Sequence, residues 1–410
     1  MHEKFKWILL PELVFFQEGP GVRNHQYTST GIKLLNVANL QGGMLYLDNT
    51  ERYISEDEAY GKYKHFLVDE GDLIIASSGI KVEYFDQKMG FAKKEHLPLC
   101  MNTSTIRFKT LDSNILNIRY FMYFLKSIFF KKQLARLITG SAQLNFGPSH
   151  LKQIKVLLPS IDYQNKIVNI LDQAQELIDK RKAQIEALDE LIQSVFYEMF
   201  GDPVQNPFSF DQYKIKDLVI DDKYAIKAGP FGSALKKEYY VESGYKVYGQ
   251  EQVIQGDLAY GDYYIDEDRY RMLENCKIQS GDLLISLVGT FGKMLVVPDN
   301  FQEGIINPRL MKISFDQSKI LPQFFKSMFQ NEAMIKYMNR NTHGATMGIL
   351  NTTIIKELNV IVPSLEMQLD YLNRRMFIEK QKELLNESLV ELENNFNSLM
   401  QRAFNGEPLC

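Results

Sequence analysis

Apolar residues recur at every seventh position along two long stretches of the chain, one central and one at the end. The stretches open on Pro159-Ser160 and Pro363-Ser364, and an acidic residue lies in the turn that follows each pair. A serine N-cap and an early acid suit the positive end of a helix dipole, and a glycine followed by a proline is typical of a helix end. Both stretches are therefore predicted to be long amphipathic helices.

The heptad spacing places the apolar residues of each predicted helix along one seam. Its members are Leu171, Ile178, Ile185, Leu188, Ile192, Val195 and Met199 in the first helix, and Ile378, Leu385, Leu389, Leu392, Phe396 and Leu399 in the second. Arg181 breaks the first seam, and Arg375 and Lys382 interrupt the second near its start. Because two such seams pack against each other in a coiled coil, we expect the two helices to pair.

The two stretches belong to an internal repeat that covers the whole chain. Gln368 lies 204 positions after Gln164, and Phe404 lies 204 positions after Phe200. The segments before the helices repeat short motifs in the same order, while the loops between those motifs differ in length and chemistry. A shared scaffold with divergent loops is expected when each half recognises a different object.

The repeat divides the chain into four segments. Two globular domains are predicted at residues 1–158 and 204–362, and the two spacer helices occupy residues 159–203 and 363–410. The predicted fold class is α+β: two similar mixed α/β domains separated by two long antiparallel coiled-coil helices, with a pseudo-two-fold internal repeat.

Glycine-bounded apolar runs in the first domain predict short strands. These runs are Ile32–Val37, Leu73–Ala76, Thr105–Lys109 and Ile154–Leu158. An aromatic-rich helix is predicted from about Asn117 to Ile138, and Pro322–Arg340 is its counterpart in the second domain. That helix is expected to direct Tyr120, Phe124, Ile128 and Leu134 toward a core.

Composition narrows the class of protein. A chain of 410 residues that is 45% hydrophobic can bury more than one core. A net charge of -4 excludes a uniformly basic protein but permits a local basic face. Three distant cysteines without CxxC spacing predict neither a disulfide framework nor a zinc site, so we expect a reduced, cytoplasmic protein. No signal peptide or membrane span is expected.

Sequence signatures of catalysis do not occur. The chain has no GxxxxGK[ST], HExxH or GxSxG motif and no NPPY-type tetrapeptide, and its six histidines show no ligand spacing. Asp72 and Asp282, which follow a glycine and precede an apolar run, are interpreted as turn-forming side chains. The Gly-Pro-Gly at 19–21 is interpreted as a backbone turn. Neither catalytic nor metal-binding residues are expected.

The helix motifs resemble one protein family. Residues 158–203 resemble the central conserved region of the specificity (S) subunits of type I restriction-modification systems, and residues 397–407 resemble their C-terminal conserved region. Residues 229–236 resemble the opening of one of their target-recognition domains. The resemblance covers the whole chain in the right order, and the helix motifs are its most specific part.

The resemblance implies a DNA-reading subunit that is not itself an enzyme. Each target-recognition domain would read one half of a bipartite, asymmetric site on double-stranded DNA, and the paired helices would set the gap. Two methyltransferase (M) subunits carrying S-adenosylmethionine would dock on the helices, and restriction (R) subunits using ATP and Mg would complete the larger complex. The chain itself would bind no cofactor, and in isolation it could form a homodimer.

Candidate DNA contacts are polar residues of the predicted loops, because Arg, Lys, Asn, Gln, Ser and Thr read base edges and bind phosphates. In the first domain they are Arg23, Asn24, Gln26, Lys81, Tyr84, Ser141, Gln143 and Asn145. In the second domain they are Lys227, Ser233, Lys236, Lys237, Gln250, Lys293, Arg309, Arg340, His343 and Thr346.

Two other functions remain open from the sequence. One is a DNA methyltransferase or endonuclease with an unrecognised active site, which would bind S-adenosylmethionine stoichiometrically when purified. The other is a coiled-coil adaptor whose two domains bind proteins rather than DNA. A mobility shift with random-sequence duplex at low salt would separate this adaptor from a DNA-reading subunit.

Overall fold

Two long helices run through the structure, which is a computed structural model describing residues 5–138, 144–231, 234–287, 292–341 and 352–407. With elements numbered in chain order, they are α5 (Ile161–Phe200) and α11 (Leu365–Asn405). The chain divides into two compact units. Unit 1 comprises Met1–Lys182 and Glu387–Cys410, and unit 2 comprises Ala183–Asn386. Each unit therefore contains one globular domain and part of both long helices.

Unit 1 is a mixed α/β domain. Its strands are β1 (Lys6–Leu9), β2 (Val14–Glu18), β3 (Ile32–Leu35), β4 (Leu40–Gln41), β5 (Met44–Leu45), β6 (Tyr53–Ile54), β7 (Leu73–Ala76), β8 (Ser78–Ile80), β9 (Met89–Phe91), β10 (Leu99–Met101), β11 (Thr105–Thr110), β12 (Leu144–Asn145) and β13 (Lys155–Leu158). Its shorter helices are α1 (Glu56–Tyr60), α2 (Ile118–Lys126), α3 (Ile128–Leu137) and α4 (Pro148–Leu151). The strands predicted from the sequence correspond to β3, β7, β11 and β13.

Unit 2 repeats this order of elements. Its strands are β14 (Gln212–Lys214), β15 (Ile226–Ala228), β16 (Tyr240–Val241), β17 (Tyr245–Tyr248), β18 (Tyr264–Ile265), β19 (Leu283–Ser286), β20 (Met294–Val296), β21 (Gly304–Ile306), β22 (Leu310–Ile313) and β23 (Asn359–Ile361). Its shorter helices are α6 (Gln250–Gln255), α7 (Glu267–Met272), α8 (Pro322–Phe329), α9 (Glu332–Asn341) and α10 (Thr352–Glu357).

The sheets of the two units have matching topology. Unit 1 has an antiparallel sheet of order β2-β11-β7-β9, and unit 2 has one of order β15-β22-β19-β20. A parallel pair accompanies each sheet, β10 with β3 and β21 with β17. The strand that leads into each long helix pairs antiparallel with the first strand of its domain, β13 with β1 and β23 with β14. The predicted internal repeat and α+β fold are confirmed.

Within each unit, the parts of α5 and α11 pack against each other in opposite directions. In unit 1 the Tyr163 hydroxyl donates to the Glu407 carbonyl (3.3 Å), and Lys182 pairs with Glu393 (3.0 Å). In unit 2 the rings of Phe196 and Tyr371 lie 5.5 Å apart. Residue numbers rise along one helix as they fall along the other, so the predicted antiparallel pairing is confirmed.

The predicted seam residues are all buried or half-buried in the described structure. The most deeply buried are Leu171 and Ile178 of α5 and Ile378 of α11. Two polar interruptions of the seam have partners within unit 2. The Arg375 guanidinium donates to Ser327 and to Glu379, and Lys382 forms an ion pair with Asp189 of α5. These cations are therefore neutralised where the apolar seam is interrupted.

The aromatic-rich helix predicted from Asn117 to Ile138 is instead two helices, α2 and α3. The break lies at Ser127, whose backbone is extended and whose hydroxyl donates to the Phe124 carbonyl and accepts from the Phe130 amide. The serine thus closes one helix and caps the next. Because the chain turns here, Ile128 is 47% exposed, and its predicted place in the core was wrong.

The counterpart predicted at Pro322–Arg340 is also divided, into α8 and α9. Asn331 lies at the break, fully buried, and its Oδ1 accepts from the Ala333 amide (2.9 Å) and the Tyr197 hydroxyl (2.9 Å). An asparagine carbonyl that accepts from a backbone amide two residues on competes with helical hydrogen bonding. Both units therefore replace one predicted helix by two.

Candidate nucleic-acid interface

A buried asparagine organises the polar loops at one edge of unit 1. The Asn102 Oδ1 accepts from the backbone amides of Val22 (3.2 Å) and Thr103 (2.8 Å), and its Nδ2 donates to the Asn36 side chain (2.9 Å). The loop after β2 is held here so closely that a Cβ on Gly19 would lie 2.0 Å from the Asn102 carbonyl oxygen. Only glycine fits at this crossing, which fixes the path of the loop that carries Arg23 and Asn24.

Asn307 does the same in unit 2. Its Oδ1 accepts from the Arg309 amide (2.8 Å), and the Gly229 amide donates to the Leu310 carbonyl (2.9 Å). A Cβ on Gly229 would lie 1.9 Å from the Asn307 carbonyl oxygen. The loop after β15, the loop that carries Arg309, and Gly249 at the start of α6 converge on this asparagine. We call these two groups the Asn102 cluster and the Asn307 cluster.

A second buried amide supports a neighbouring loop in each unit. In unit 1 the Asn39 side chain accepts from the Asn36 amide (2.8 Å) and donates to the Tyr46 carbonyl (3.1 Å). In unit 2 the Gln252 side chain accepts from the Gly249 amide (2.8 Å) and donates to the Tyr260 carbonyl (2.8 Å). Sequence reasoning missed these supports, because an asparagine is matched here by a glutamine and the repeat is not visible residue by residue.

The two aspartates interpreted as turn-forming have that role in the structure. The Asp72 carboxylate accepts from the Asp69 amide (3.0 Å), and the Asp282 carboxylate accepts from the Gln279 amide (2.8 Å). Each also faces a buried cation from the neighbouring strand, Arg107 at 3.5 Å and Lys312 at 3.8 Å. Burial raises the pKa of both carboxyls, and the hydrogen bonds and cations oppose that shift. These groups belong to the scaffold.

The candidate contacts of unit 1 differ in how free their side chains are. Arg23, Asn24, Lys81 and Tyr84 are exposed. Gln26 is half-buried, and its Nε2 donates to Glu58 (2.7 Å) and to the Tyr63 hydroxyl (3.0 Å). The side chain of Asn145 accepts from Ser78 (2.7 Å) and the Gly79 amide (3.1 Å), and so joins β12 to β8. Ser141 and Gln143 lie outside the described residues.

In unit 2 the exposed candidates are Lys236, Lys237, Lys293, Arg309 and Arg340. Lys236 pairs with Glu238 (3.5 Å), and Lys227 lies half-buried over the ring of Tyr224. Gln250 follows Gly249 at the Asn307 cluster, and its buried Oε1 has no hydrogen-bond partner among the residues that the structure describes. Ser233, His343 and Thr346 lie outside the described residues. The structure thus places Arg309 and Gln250 at one cluster and leaves Arg340 on α9.

Sequence reasoning did not select Phe231 as a contact residue, although it lies in the loop held by Asn307. Its side chain is 80% exposed. The residue type gave no signal, since aromatic residues are usually assigned to a core.

Two other kinds of feature are not found in the part of the chain that the structure describes. Among the described residues, no group of three or more His, Cys, Asp or Glu is placed to hold a metal ion. Within that same part of the chain, no helix is both long enough and apolar enough to cross a membrane.

The family model for the type I restriction modification DNA specificity domain matches the chain twice, at residues 26–187 and 212–394. The chain belongs to this family. Each match lies within one half of the internal repeat, and the two matches include Asn102 and Asn307. The members of this family that the chain matches are named specificity subunits, which recognise DNA without catalysing the reaction.

Relatives of the specificity family are similar over most of the chain. The StySPI specificity subunit of Salmonella potsdam is 23% identical over 365 residues, which are 82% of this chain and 74% of the relative. The EcoKI specificity subunit of Escherichia coli K12 is 22% identical over 370 residues, which are again 82% of this chain and 74% of the relative. The match to the MjaVIII specificity subunit of Methanocaldococcus jannaschii, 26% identical, covers 47% of this chain and 45% of that subunit.

A solved structure supports the fold. A chain from a structural study of complex assembly and conformational transition of the type I R-M system superposes with a TM-score of 0.61. The match covers 98% of this chain and 97% of that chain, at 14% sequence identity. The two-domain specificity-subunit fold therefore extends over essentially the whole length.

Proposed function

We propose that this specificity subunit reads a bipartite, asymmetric site on double-stranded DNA, with each unit reading one half. The observation that carries the proposal is the pair of asparagine clusters. Both units hold the corresponding loop at a corresponding glycine, yet the loop carries different exposed side chains: Arg23 and Asn24 in unit 1, and Phe231 in unit 2, where the joined loop adds Arg309. The same backbone support with different exposed side chains suits two domains that recognise different DNA sequences.

The exposed side chains at the clusters have the chemistry of base readout. Arginine can donate both ends of its guanidinium to guanine, and asparagine can bond adenine through its amide. The exposed lysines at Lys81, Lys236 and Lys237 suit phosphate contacts, which position a protein on the duplex without reading sequence. A local cationic face is compatible with the net charge of -4, because charges elsewhere on the chain set the total.

The long helices suit the role of spacer between half-sites. The 40 residues of α5 correspond to about 60 Å at a rise of about 1.5 Å per residue. Half-sites one helical turn of DNA apart are separated by roughly 34–36 Å, so rods of this length are sufficient to fix the gap. Ion pairs between the helices, such as Lys182 with Glu393, oppose sliding of one helix along the other.

Replacing Arg309 with alanine tests whether unit 2 recognises its half-site through this residue. We expect binding to the cognate duplex to weaken by about 1–3 kcal/mol, with relaxed sequence preference in the half-site read by unit 2 only. Arg23→Ala should relax the other half-site. The measurement is the map of methylated adenines in cells that carry each variant, together with duplex binding by the purified complex.

Arg271→Ala is the matched control, because it removes the same charge from α7 of unit 2, where Arg271 pairs with Glu267. Its methylation map should equal that of the wild type. An unchanged map for both Arg309→Ala and Arg23→Ala would contradict the assignment of these loops. Absence of any sequence-specific duplex binding by the wild-type complex would contradict the function itself.

The proposal includes docking of methyltransferase (M) subunits on the helices, and one face of α11 supports it. Leu369, Met376, Phe377 and Leu384 are between 51% and 66% exposed. Their spacing of seven, eight and fifteen residues from Leu369 puts them on one side of the helix. Such a stripe on a soluble protein marks a surface that a partner covers.

The internal repeat provides a comparison for this stripe. The positions of α5 that correspond to it, 204 residues earlier, are all polar: Asn165, Asp172, Gln173 and Lys180. Asp172 is already engaged within unit 1, by Arg119 (2.7 Å) and the Tyr123 hydroxyl (2.7 Å). The apolar stripe is therefore not a requirement of the shared helix scaffold. We propose that an M subunit, carrying S-adenosylmethionine, covers it, with R subunits and their ATP and Mg joining that assembly.

Phe377→Glu should lower the affinity for the methyltransferase subunit at least about tenfold, since it places a charge in an apolar contact. Gln173→Glu, at the matching position of α5, should leave that affinity unchanged. Co-purification and titration with the M subunit measure both. If Phe377→Glu keeps full affinity for the M subunit but converts a dimer of the isolated chain to a monomer, a second copy covers the stripe instead.

A further inference from the structure

Phe231 is exposed, although the two residues directly before it are buried. Gly229 and Pro230, directly before it, are buried, and Leu235, four residues later, is packed in the core of unit 2. The Phe231 carbonyl accepts from the Ala234 amide (3.3 Å). The backbone before Phe231 is fixed by buried residues, while its own side chain is 80% exposed and available for a contact outside the protein.

The loop that carries Phe231 is joined to the loop that carries Arg309. Gly229 is bonded to Leu310, and Asn307 orients the backbone of Arg309, so the two loops share one anchor. Lys236 and Lys237 are exposed five and six residues after Phe231, and Arg309 is exposed on the joined loop. The acid that follows the lysines, Glu238, is already paired with Lys236. An exposed aromatic ring in cationic surroundings complements a polyanion that also offers an apolar interior, which is the description of a DNA base stack.

Unit 1 has a glycine at the position that corresponds to this ring. Gly19 and Gly229 make the same close approach to Asn102 and Asn307, so the residue two positions later corresponds as well. In unit 1 that residue is Gly21, and a Cβ there would meet no described atom within 4 Å. Space for a side chain is therefore available in unit 1 and is not used. The difference between the halves is one of function rather than of packing.

We propose that Phe231 is an apolar wedge that enters the base stack of the half-site read by unit 2 and partly unstacks one base step. The inference rests on the proposed DNA-reading function and deepens it. Apolar side chains inserted between base steps kink the duplex, and the cost depends on how easily that step unstacks. The half-site of unit 2 is then read partly through deformability, at a step where no hydrogen bond to a base is needed, while unit 1 reads its half without a wedge.

The experiment uses the complete complex with its methyltransferase subunits on a duplex carrying the mapped site. 2-Aminopurine is placed at each base step in turn, away from the adenines that become methylated. We expect the 2-aminopurine fluorescence to rise on binding at one base step in the half-site of unit 2, because unstacking from the neighbouring bases relieves its quenching. Phe231→Ala should remove this signal and weaken binding roughly five- to hundredfold, while the other half-site is unaffected.

Phe208→Ala is the matched control, since Phe208 is another exposed phenylalanine of unit 2 and lies outside the Asn307 cluster. It should keep both the signal and the affinity. The wedge proposal is overturned if 2-aminopurine fluorescence rises at no base step when the wild-type complex binds. A rise at the same step with the Phe231→Ala complex would overturn it as well. It is also overturned if Phe231→Ala prevents assembly with the methyltransferase subunits, since the ring would then face protein. If the wild-type complex still binds its site specifically after any of these results, the proposed DNA-reading function is not contradicted.

Discussion

Phe404→Ala is expected to lower the free energy of unfolding of unit 1 by about 3–5 kcal/mol, because a large buried aromatic side chain is lost and a cavity remains. Phe404 lies near the C-terminal end of α11, yet its ring packs against Tyr120 (5.3 Å) and Phe124 (6.0 Å) of α2. The end of the second long helix thus completes the core of the first domain.

The corresponding change in unit 2 is Phe200→Ala, which removes a ring packed between Phe324 (5.0 Å) and Tyr371 (5.6 Å). The chain offers a reporter that separates the two effects. Its one tryptophan, Trp7, lies in β1 of unit 1, with its ring 6.1 Å from that of Phe129. Urea unfolding followed by tryptophan fluorescence should shift strongly for Phe404→Ala, whereas Phe200→Ala should act mainly on the far-ultraviolet circular dichroism.

The control for both variants is Phe377→Ala, on an exposed face of α11, which should change the free energy of unfolding by less than about 0.5 kcal/mol. A tryptophan transition that is the same in the wild type and in Phe404→Ala would show that the end of α11 does not contribute to the core of unit 1.

Gln164→Ala is expected to cost about 3 kcal/mol in the same tryptophan transition. The Gln164 side chain is fully buried, donates to the carbonyls of Ile115 (2.9 Å) and Pro159 (3.0 Å), and accepts from the Asn117 amide (2.9 Å). Alanine leaves these buried backbone groups without a partner, and each such group costs about 1–3 kcal/mol unless water reaches it. The residue ties the start of α5 to the start of α2.

Gln368 repeats this arrangement in unit 2. It donates to the carbonyls of Lys319 (3.1 Å) and Pro363 (2.8 Å) and accepts from the Leu321 amide (2.8 Å). Gln368→Ala should therefore lose a similar free energy, seen by circular dichroism. Gln173→Ala, an exposed glutamine of α5, should have little effect. Equal stability of Gln164→Ala and Gln173→Ala would mean that the buried hydrogen bonds contribute nothing net.

The long helices and the duplication could be predicted from the sequence because both depend on local or periodic signals. Ser160 and Ser364 cap the helices where expected, since their side chains accept from Tyr163 and Met367 in the first turn. Gln164 and Gln368 were visible as a matched pair, but their role was not. It requires carbonyls that are some fifty residues away in sequence, at Ile115 and Lys319, and no periodicity reports such contacts.

The division of the aromatic-rich helices escaped prediction for a different reason. Ser127 is neither glycine nor proline, and a serine inside an apolar pattern is compatible with a helix. Ser127 ends one helix and begins the next because its hydroxyl makes two hydrogen bonds, to the Phe124 carbonyl and from the Phe130 amide. The candidate DNA contacts were chosen by residue type, which does not reveal that the side chains of Gln26 and Asn145 also form hydrogen bonds within the protein. Phe231 was passed over because its exposure cannot be inferred from residue type.

The glycines at 19 and 229 bear on how such a protein can acquire new targets. A Cβ at either position would lie within about 2 Å of a backbone carbonyl oxygen, so any other residue there would force the loop backbone to move. Two residues further on, Gly21 and Phe231 have open surroundings, and substitutions there would not disturb the loop backbone. A new DNA target can therefore arise when the side chain two residues beyond the glycine is exchanged, since the loop backbone that carries it does not have to refold.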